Sequence, residues 1–134
     1  MLRAIFTNSA PSPRGFYSQA VRVGELLFIA GQLPIGRDGR IVSGGICEET
    51  RQALSNLKAI LESAGGKLSD LAQCTIYITD IELWVDVNQT YASFLSGIAV
   101  PPARTVVPVK QLHFGAMIEI QAIAYLAHTG CTMG

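Results

Sequence analysis

Two apolar runs near the C-terminus each carry a single charge, and they constrain the fold more than any other feature of the chain. Pro101 to Val109 reads as a strand entered through prolines, and Met117 to Leu126 reads as a second strand. Arg104 and Glu119 are the only charges in these runs. A charge among apolar neighbours on a strand costs roughly several kcal/mol unless it is paired or lines a cavity. An arginine in such a place suits bidentate capture of a carboxylate. A glutamate nearby suits orienting water or moving a proton. Together they point to a site for a small acidic molecule.

The remaining elements follow from periodicity and turn chemistry. Ala4 to Thr7 is a short edge-strand candidate, and Asn8 to Gly15, with two prolines, is a loop. Tyr17 to Val23 alternates loosely up to a turn at Gly24-Glu25. Leu26 to Ala30 is an apolar run ending at Gly31, and it reads as a strand buried on both faces. Arg37-Asp38-Gly39-Arg40 carries the Asp-Gly turn signal. From about Cys47 to Ala64, apolar residues recur at three- and four-residue steps, which predicts a helix stopped by Gly65-Gly66. Cys74 to Thr79 alternates as a strand. Asp80 is a good N-cap for a second helix burying Trp84, Val87, Tyr91, Phe94 and Leu95. Asn88 falls on the same stripe and reads first as a helix-face polar group bonded to neighbouring backbone. Strands, long helix, strand, helix, strands make an α+β domain over residues 1–134, with two helices on one face of a mixed sheet. The tail 128–134 is expected to be flexible.

Composition bounds what such a domain can do. Hydrophobic residues make up 49% and charged residues only 15% of 134. A typical soluble domain has about 25% charged residues. The surplus apolar surface predicts a homo-oligomer that hides part of it. Net charge is zero, whereas nucleic-acid binders carry a basic stripe, so a nucleic-acid partner is not expected. Cys47, Cys74 and Cys131 contain no CxxC, and they share no metal-ligand spacing with His113 or His128. No metal site is expected, and reduced thiols fit the cytoplasm. Met1 to Gly15 does not read as a signal peptide, and no stretch reaches the roughly 20 apolar residues of a membrane span.

Six short motifs, in order, resemble those of the RidA family, also called YjgF or L-PSP. They are Gly15-Phe16-Tyr17-Ser18-Gln19-Ala20, Ile29-Ala30-Gly31-Gln32-Leu33-Pro34, Gln52-Ala53-Leu54-Ser55-Asn56-Leu57, Asn88-Gln89-Thr90-Tyr91, Pro102-Ala103-Arg104 and Ile118 to Ala124. The resemblance covers nearly the whole chain. It implies a chorismate-mutase-like fold and a homotrimer with a central β-barrel, helices outside and three clefts between subunits. It also implies hydrolysis of reactive 2-imino or enamine acids to 2-keto acids and ammonia, without a metal or organic cofactor. By position, Arg104 would clamp the substrate carboxylate and Glu119 would hold the attacking water. Tyr17 would close the cleft and assist proton traffic, and Gly31 would let backbone approach the ligand. Asn88 matches a family position near the site, and the backbone N–H of Val106 would add a hydrogen bond to the carboxylate.

The chain departs from the family pattern in several places. Val106 stands where cysteine is common, which disfavours a cysteine nucleophile. Ala30 replaces a common serine, and Phe16 replaces a usual proline. The loop Leu112-His113-Phe114-Gly115 differs from the lysine-bearing version. These departures shift the expected substrate away from the smallest imino acids. They leave open a pathway-specific enzyme of the same scaffold, such as a 2-aminomuconate deaminase, in which His113 contacts substrate and donates a proton. An endoribonuclease or translation inhibitor, and a non-enzymatic binder of small carboxylates, also stay open.

Overall fold

The computed structural model describes residues 1–127; His128, Cys131 and the rest of the expected flexible tail lie outside the described residues. In chain order the strands and α-helices are β1 (Arg3–Ile5), β2 (Ala20–Val23), β3 (Leu26–Gln32), α1 (Ile46–Ser63), β4 (Leu71–Ile78), α2 (Trp84–Phe94), β5 (Ala103–Pro108) and β6 (Ile118–Tyr125). The strands form one sheet in the order β1-β2-β3-β6-β4-β5. The β4/β5 pair is parallel and the other pairs are antiparallel. This is the α+β architecture that the element order predicts.

Helix α1 forms because Ala53, Leu54, Leu57, Ile60 and Leu61 line one face, and all five are fully buried. Glu48 and Glu49 in its first turn suit the positive end of the helix dipole. Gly65, at φ 88°, ends it, and the Gly66 N–H donates to the Leu61 carbonyl at 2.9 Å. The second helix starts less directly than the sequence implies. Asp80 caps a 3-10 turn over Ile81–Leu83, its carboxylate accepting from the Glu82 N–H at 2.9 Å, and α2 begins only at Trp84. Against these helices pack Leu27 and Ile29 of β3, Cys74, Ile76 and Ile78 of β4, and Ile118, Ile120, Ala122 and Ala124 of β6.

Side chains alternate along strands, so the intervening residues occupy the opposite face, which carries no helix. Leu26 and Phe28 of β3 are exposed there, 39% and 42%, beside Tyr125 and Ile123 of β6. This corrects the expectation that Leu26 to Ala30 is buried on both faces. Within one chain it is buried on one, and the other is an apolar surface left open.

Candidate active site

The sheet splits the expected site residues between its two faces. Arg104 pairs with Cys74 across β4/β5, and Cys74 is fully buried in the helix-side core. Arg104 therefore points to the helix layer. Glu119 pairs with Tyr77 across β4/β6, between Ile118 and Ile120, which are both buried on the helix side. Glu119 points to the open face. One chain does not bring Arg104 and Glu119 together; β4 stands between their strands and they occupy opposite faces.

Around Arg104, α2 builds a cradle. The guanidinium carbon lies 4.5 Å from the Trp84 ring centroid and 4.8 Å from that of Tyr91. Nη1 donates to Asn88 Oδ1 at 3.0 Å. Trp84, Asn88 and Tyr91 recur at helical spacing, so one stripe supplies two ring faces and an acceptor. Asn88 thus binds the arginine side chain and not neighbouring backbone. Burial pushes the Tyr91 phenol far above its ordinary range and raises the Cys74 thiol as well, so both stay neutral beside the cation. The Tyr91 hydroxyl has no well-aligned hydrogen-bond partner; the neighbouring Cys74 sulfur is a weak one. Among the described residues Arg104 makes no ion pair, so its charge is open to an incoming anion. Strand β5 is also a sheet edge. The Val109 N–H donates inward to the Ile78 carbonyl at 2.8 Å. Alternation along the strand turns the Val106 N–H outward, to the unpaired edge.

A second cleft lies at the end of the open face, where Tyr17, Gly31, His113 and Glu119 meet. Burial raises the Glu119 carboxyl above the usual carboxylate range, and the His113 side chain draws it back in part. Gly31 sits directly against this carboxylate. A β-carbon there would lie 3.0 Å from Glu119 Cδ and 3.2 Å from Cγ, so only glycine leaves the carboxylate its place. Ala30, at the position of the common family serine, lines the same cleft and offers it no hydroxyl.

Three buried polar side chains hold the loops of this cleft, and none of them stood out as a site residue in the sequence. Gln19, 2% exposed, accepts from the Thr7 N–H at 2.7 Å and donates to the Thr7 and Pro11 carbonyls, each at 3.0 Å. It fixes the loop leading to Tyr17. Asn56 donates to the Leu33 and Ile35 carbonyls, both at 3.0 Å, which pins the segment after Gly31 to α1. Glu49 accepts from the Met117 N–H at 2.8 Å, two residues before Glu119. Their signal was a polar residue at a core position of a periodic element. Among the described residues no cluster of His, Cys, Asp or Glu is arranged to hold a metal ion, and no helix is long and apolar enough to cross a membrane.

A mixed six-stranded sheet with two helices on one face, an arginine cradle at one edge and a carboxylate cleft on the open face defines a RidA-like class of protein. The chain belongs to the RidA (YjgF, L-PSP) family: the family model described as Endoribonuclease L-PSP matches residues 7–126. A RutC family protein of Pyrococcus horikoshii, PH0854, is 47% identical over 93% of this chain and 98% of its own. The crystal structure of the YjgF gene product from E. coli superimposes with a TM-score of 0.87 at 37% identity, covering 92% of this chain and 98% of the other. E. coli TdcF, solved with bound serine, gives 0.87 at 34% identity over the same shares.

Proposed function

We propose that this protein hydrolyses reactive 2-imino or enamine acids to 2-keto acids and ammonia, in clefts that two copies of the chain complete, three to a homotrimer. The observation that carries the reading is the division of the site. A cation without an anionic partner sits at one sheet edge, and a half-buried carboxylate sits in a cleft on the opposite face. Each is half of a site for a carboxylate-bearing electrophile. The open apolar face around Phe28 is the surface that would close against partner sheets into a barrel. Serine, the ligand named for TdcF, has the α-carboxylate and α-nitrogen that such a substrate shares.

The chemistry follows from the two halves. Arg104 takes the substrate carboxylate bidentately, and the outward Val106 N–H adds a donor. The imine carbon is already electrophilic, so the protein needs mainly to place a water molecule. Glu119 holds that water and accepts its proton as the oxygen adds to carbon. The proton passes to nitrogen to give the carbinolamine. Glu119 then carries the carbinolamine's hydroxyl proton to the same nitrogen, the C–N bond breaks, and ammonia leaves as the carbonyl forms. An enamine first takes a proton on carbon and becomes the imine. A carboxyl whose burial raises its pKa is suited to both giving and taking that proton. Tyr17 lines the same cleft and relays protons at its mouth. Orientation of bound reactants supplies up to about 7–11 kcal/mol. Unbridged Cys47 and Cys74 support a reducing, cytoplasmic setting. The ribonuclease activity in the family's description draws no support from a net charge of zero.

The test is a coupled assay in which an amino-acid oxidase or dehydratase generates 2-iminobutanoate and 2-iminopropanoate beside semicarbazide. The protein is expected to lower the yield of trapped imine, and Arg104→Ala is expected to abolish that protection while leaving the trimer intact. Absence of protection by folded trimer would overturn the reading.

A further inference from the structure

The cleft beside Glu119 contains a second arginine that the reaction above does not use. Arg14 lines it together with Tyr17 and His113. It is held from two sides by loops distant in sequence. Its Nη2 donates to the Gly39 carbonyl at 2.6 Å, and its guanidinium carbon lies 4.9 Å from the Phe114 ring centroid. The loop that carries it is tied to the site, since the Arg14 N–H donates to the Tyr17 hydroxyl at 3.3 Å.

Phe114 has an unusual backbone. It takes φ 61° and ψ 22°, the left-handed region, where a bulky residue is rare and strained. Burial does not explain it, because Phe114 is 59% exposed. Its ring lies against the Arg14 guanidinium and 5.7 Å from the His113 ring. The strain therefore goes with seating Arg14. An arginine fixed by one hydrogen bond and a ring face keeps its other donors in a set geometry. Among the described residues it makes no ion pair.

We infer that the substrate carries a second carboxylate, distal to the imine, and that Arg14, seated on Phe114, receives it. The inference rests on the deaminase reading and narrows it to dicarboxylic imino or enamino acids. The charges agree. An assembled cleft would bring both Arg104 and Arg14 to one substrate, and a dicarboxylate gives each of these cations, which make no ion pair among the described residues, a carboxylate partner. The Ala30 and Val106 side chains add no polar group that would compete for the distal end.

Two imines that differ only at that end test it: 2-iminoglutarate from oxidation of glutamate, and 2-iminopentanoate from oxidation of norvaline. The wild-type protein is expected to favour the dicarboxylate by about tenfold or more in kcat/KM, the scale of one charge-assisted pair. Arg14→Gln should remove most of that ratio, and Arg14→Lys should restore part of it. Absence of preference in the wild type, or an unchanged ratio in Arg14→Gln, would overturn the inference. Trp84, the only tryptophan, lies against Arg104, and its emission reads binding of the keto acids 2-oxoglutarate and 2-oxopentanoate without turnover. An Arg14-dependent binding preference in a protein that hydrolyses neither imine would sink the deaminase reading and keep the second-carboxylate site. Hydrolysis of both imines with equal binding of both acids would do the reverse.

Discussion

Asn88 sets the aim of Arg104. Its amide oxygen holds one guanidinium nitrogen while Trp84 and Tyr91 take the faces, so the remaining donors keep a set geometry, which the proposed carboxylate contact would use. Asn88→Ala frees the head group. Discounting a hydrogen bond to a half-buried charge to about 1 kcal/mol gives a KM rise of roughly fivefold, with a smaller effect on kcat. Asn88→Asp should do worse, because a permanent carboxylate would occupy the cation that the substrate needs. Steady-state kinetics of both variants decide it: equal KM values for the two would show that Asn88 only packs. At this scale the sequence was half legible. A lone arginine on an apolar strand marks a charge that needs a setting of its own, and the spacing of residues 84, 88 and 91 marks one helical face. That this face covers the arginine depends on β5 lying beside β4, which no local pattern encodes. Arg14 gave no signal at all, since its loop lacks periodicity and its partners Gly39 and Phe114 are distant in the chain.

Among the elements, β6 carries a cost that the proposed role of Glu119 would explain. Six of its eight positions are apolar, and Glu119 sits half-buried among them with a pKa raised by burial. The folded protein therefore binds a proton at Glu119 more tightly than the unfolded chain does. That contribution is fully present below the unfolded value near 4.5 and is lost as pH rises through the higher folded value. Above that folded value the ionised carboxylate opposes folding. Glu119→Gln should accordingly raise Tm at pH 7, with the gain shrinking toward pH 4.5, while turnover falls by roughly 10²-fold or more for loss of a general base. Thermal melts across pH 4–8 check the sign; a Tm gain that persists unchanged at pH 4 would mean packing and not charge. Element boundaries were legible where one physical signal dominated. Helix α1, with its apolar repeat and glycine stop, falls at Ile46–Ser63 against an expectation of about Cys47 to Ala64. β2 starts at Ala20 and not at Tyr17, because the buried Gln19 amide holds the residues before it in a loop. The two-sided burial expected for β3 came from a run whose second face is open in one chain.

For the whole molecule, that open face and the divided site make the same demand. The sequence has more apolar surface than one domain of this size covers, and the structure places part of it around Phe28 and Leu26, on the same face as Glu119. If copies close on this face and bring one chain's Arg104 to another's Glu119, activity belongs to interfaces and not to chains. Arg104→Ala and Glu119→Gln trimers should then each be nearly inactive alone, yet recover activity when denatured together and refolded as mixed trimers. A cleft is intact when its arginine comes from one variant and its glutamate from the other. Random assortment of equal amounts makes about one cleft in four intact. A site confined to one chain predicts no recovery, because every chain then carries one defect. Sedimentation must show the mixed species at three times the 14.3 kDa chain mass, and mixing without refolding should leave activity at the level of the separate variants. Recovery near a quarter would assign the cleft to two chains at once. Its absence in correctly sized mixed trimers would place catalysis on residues that one chain already holds together, with Tyr17, His113 and Glu119 the group to examine next.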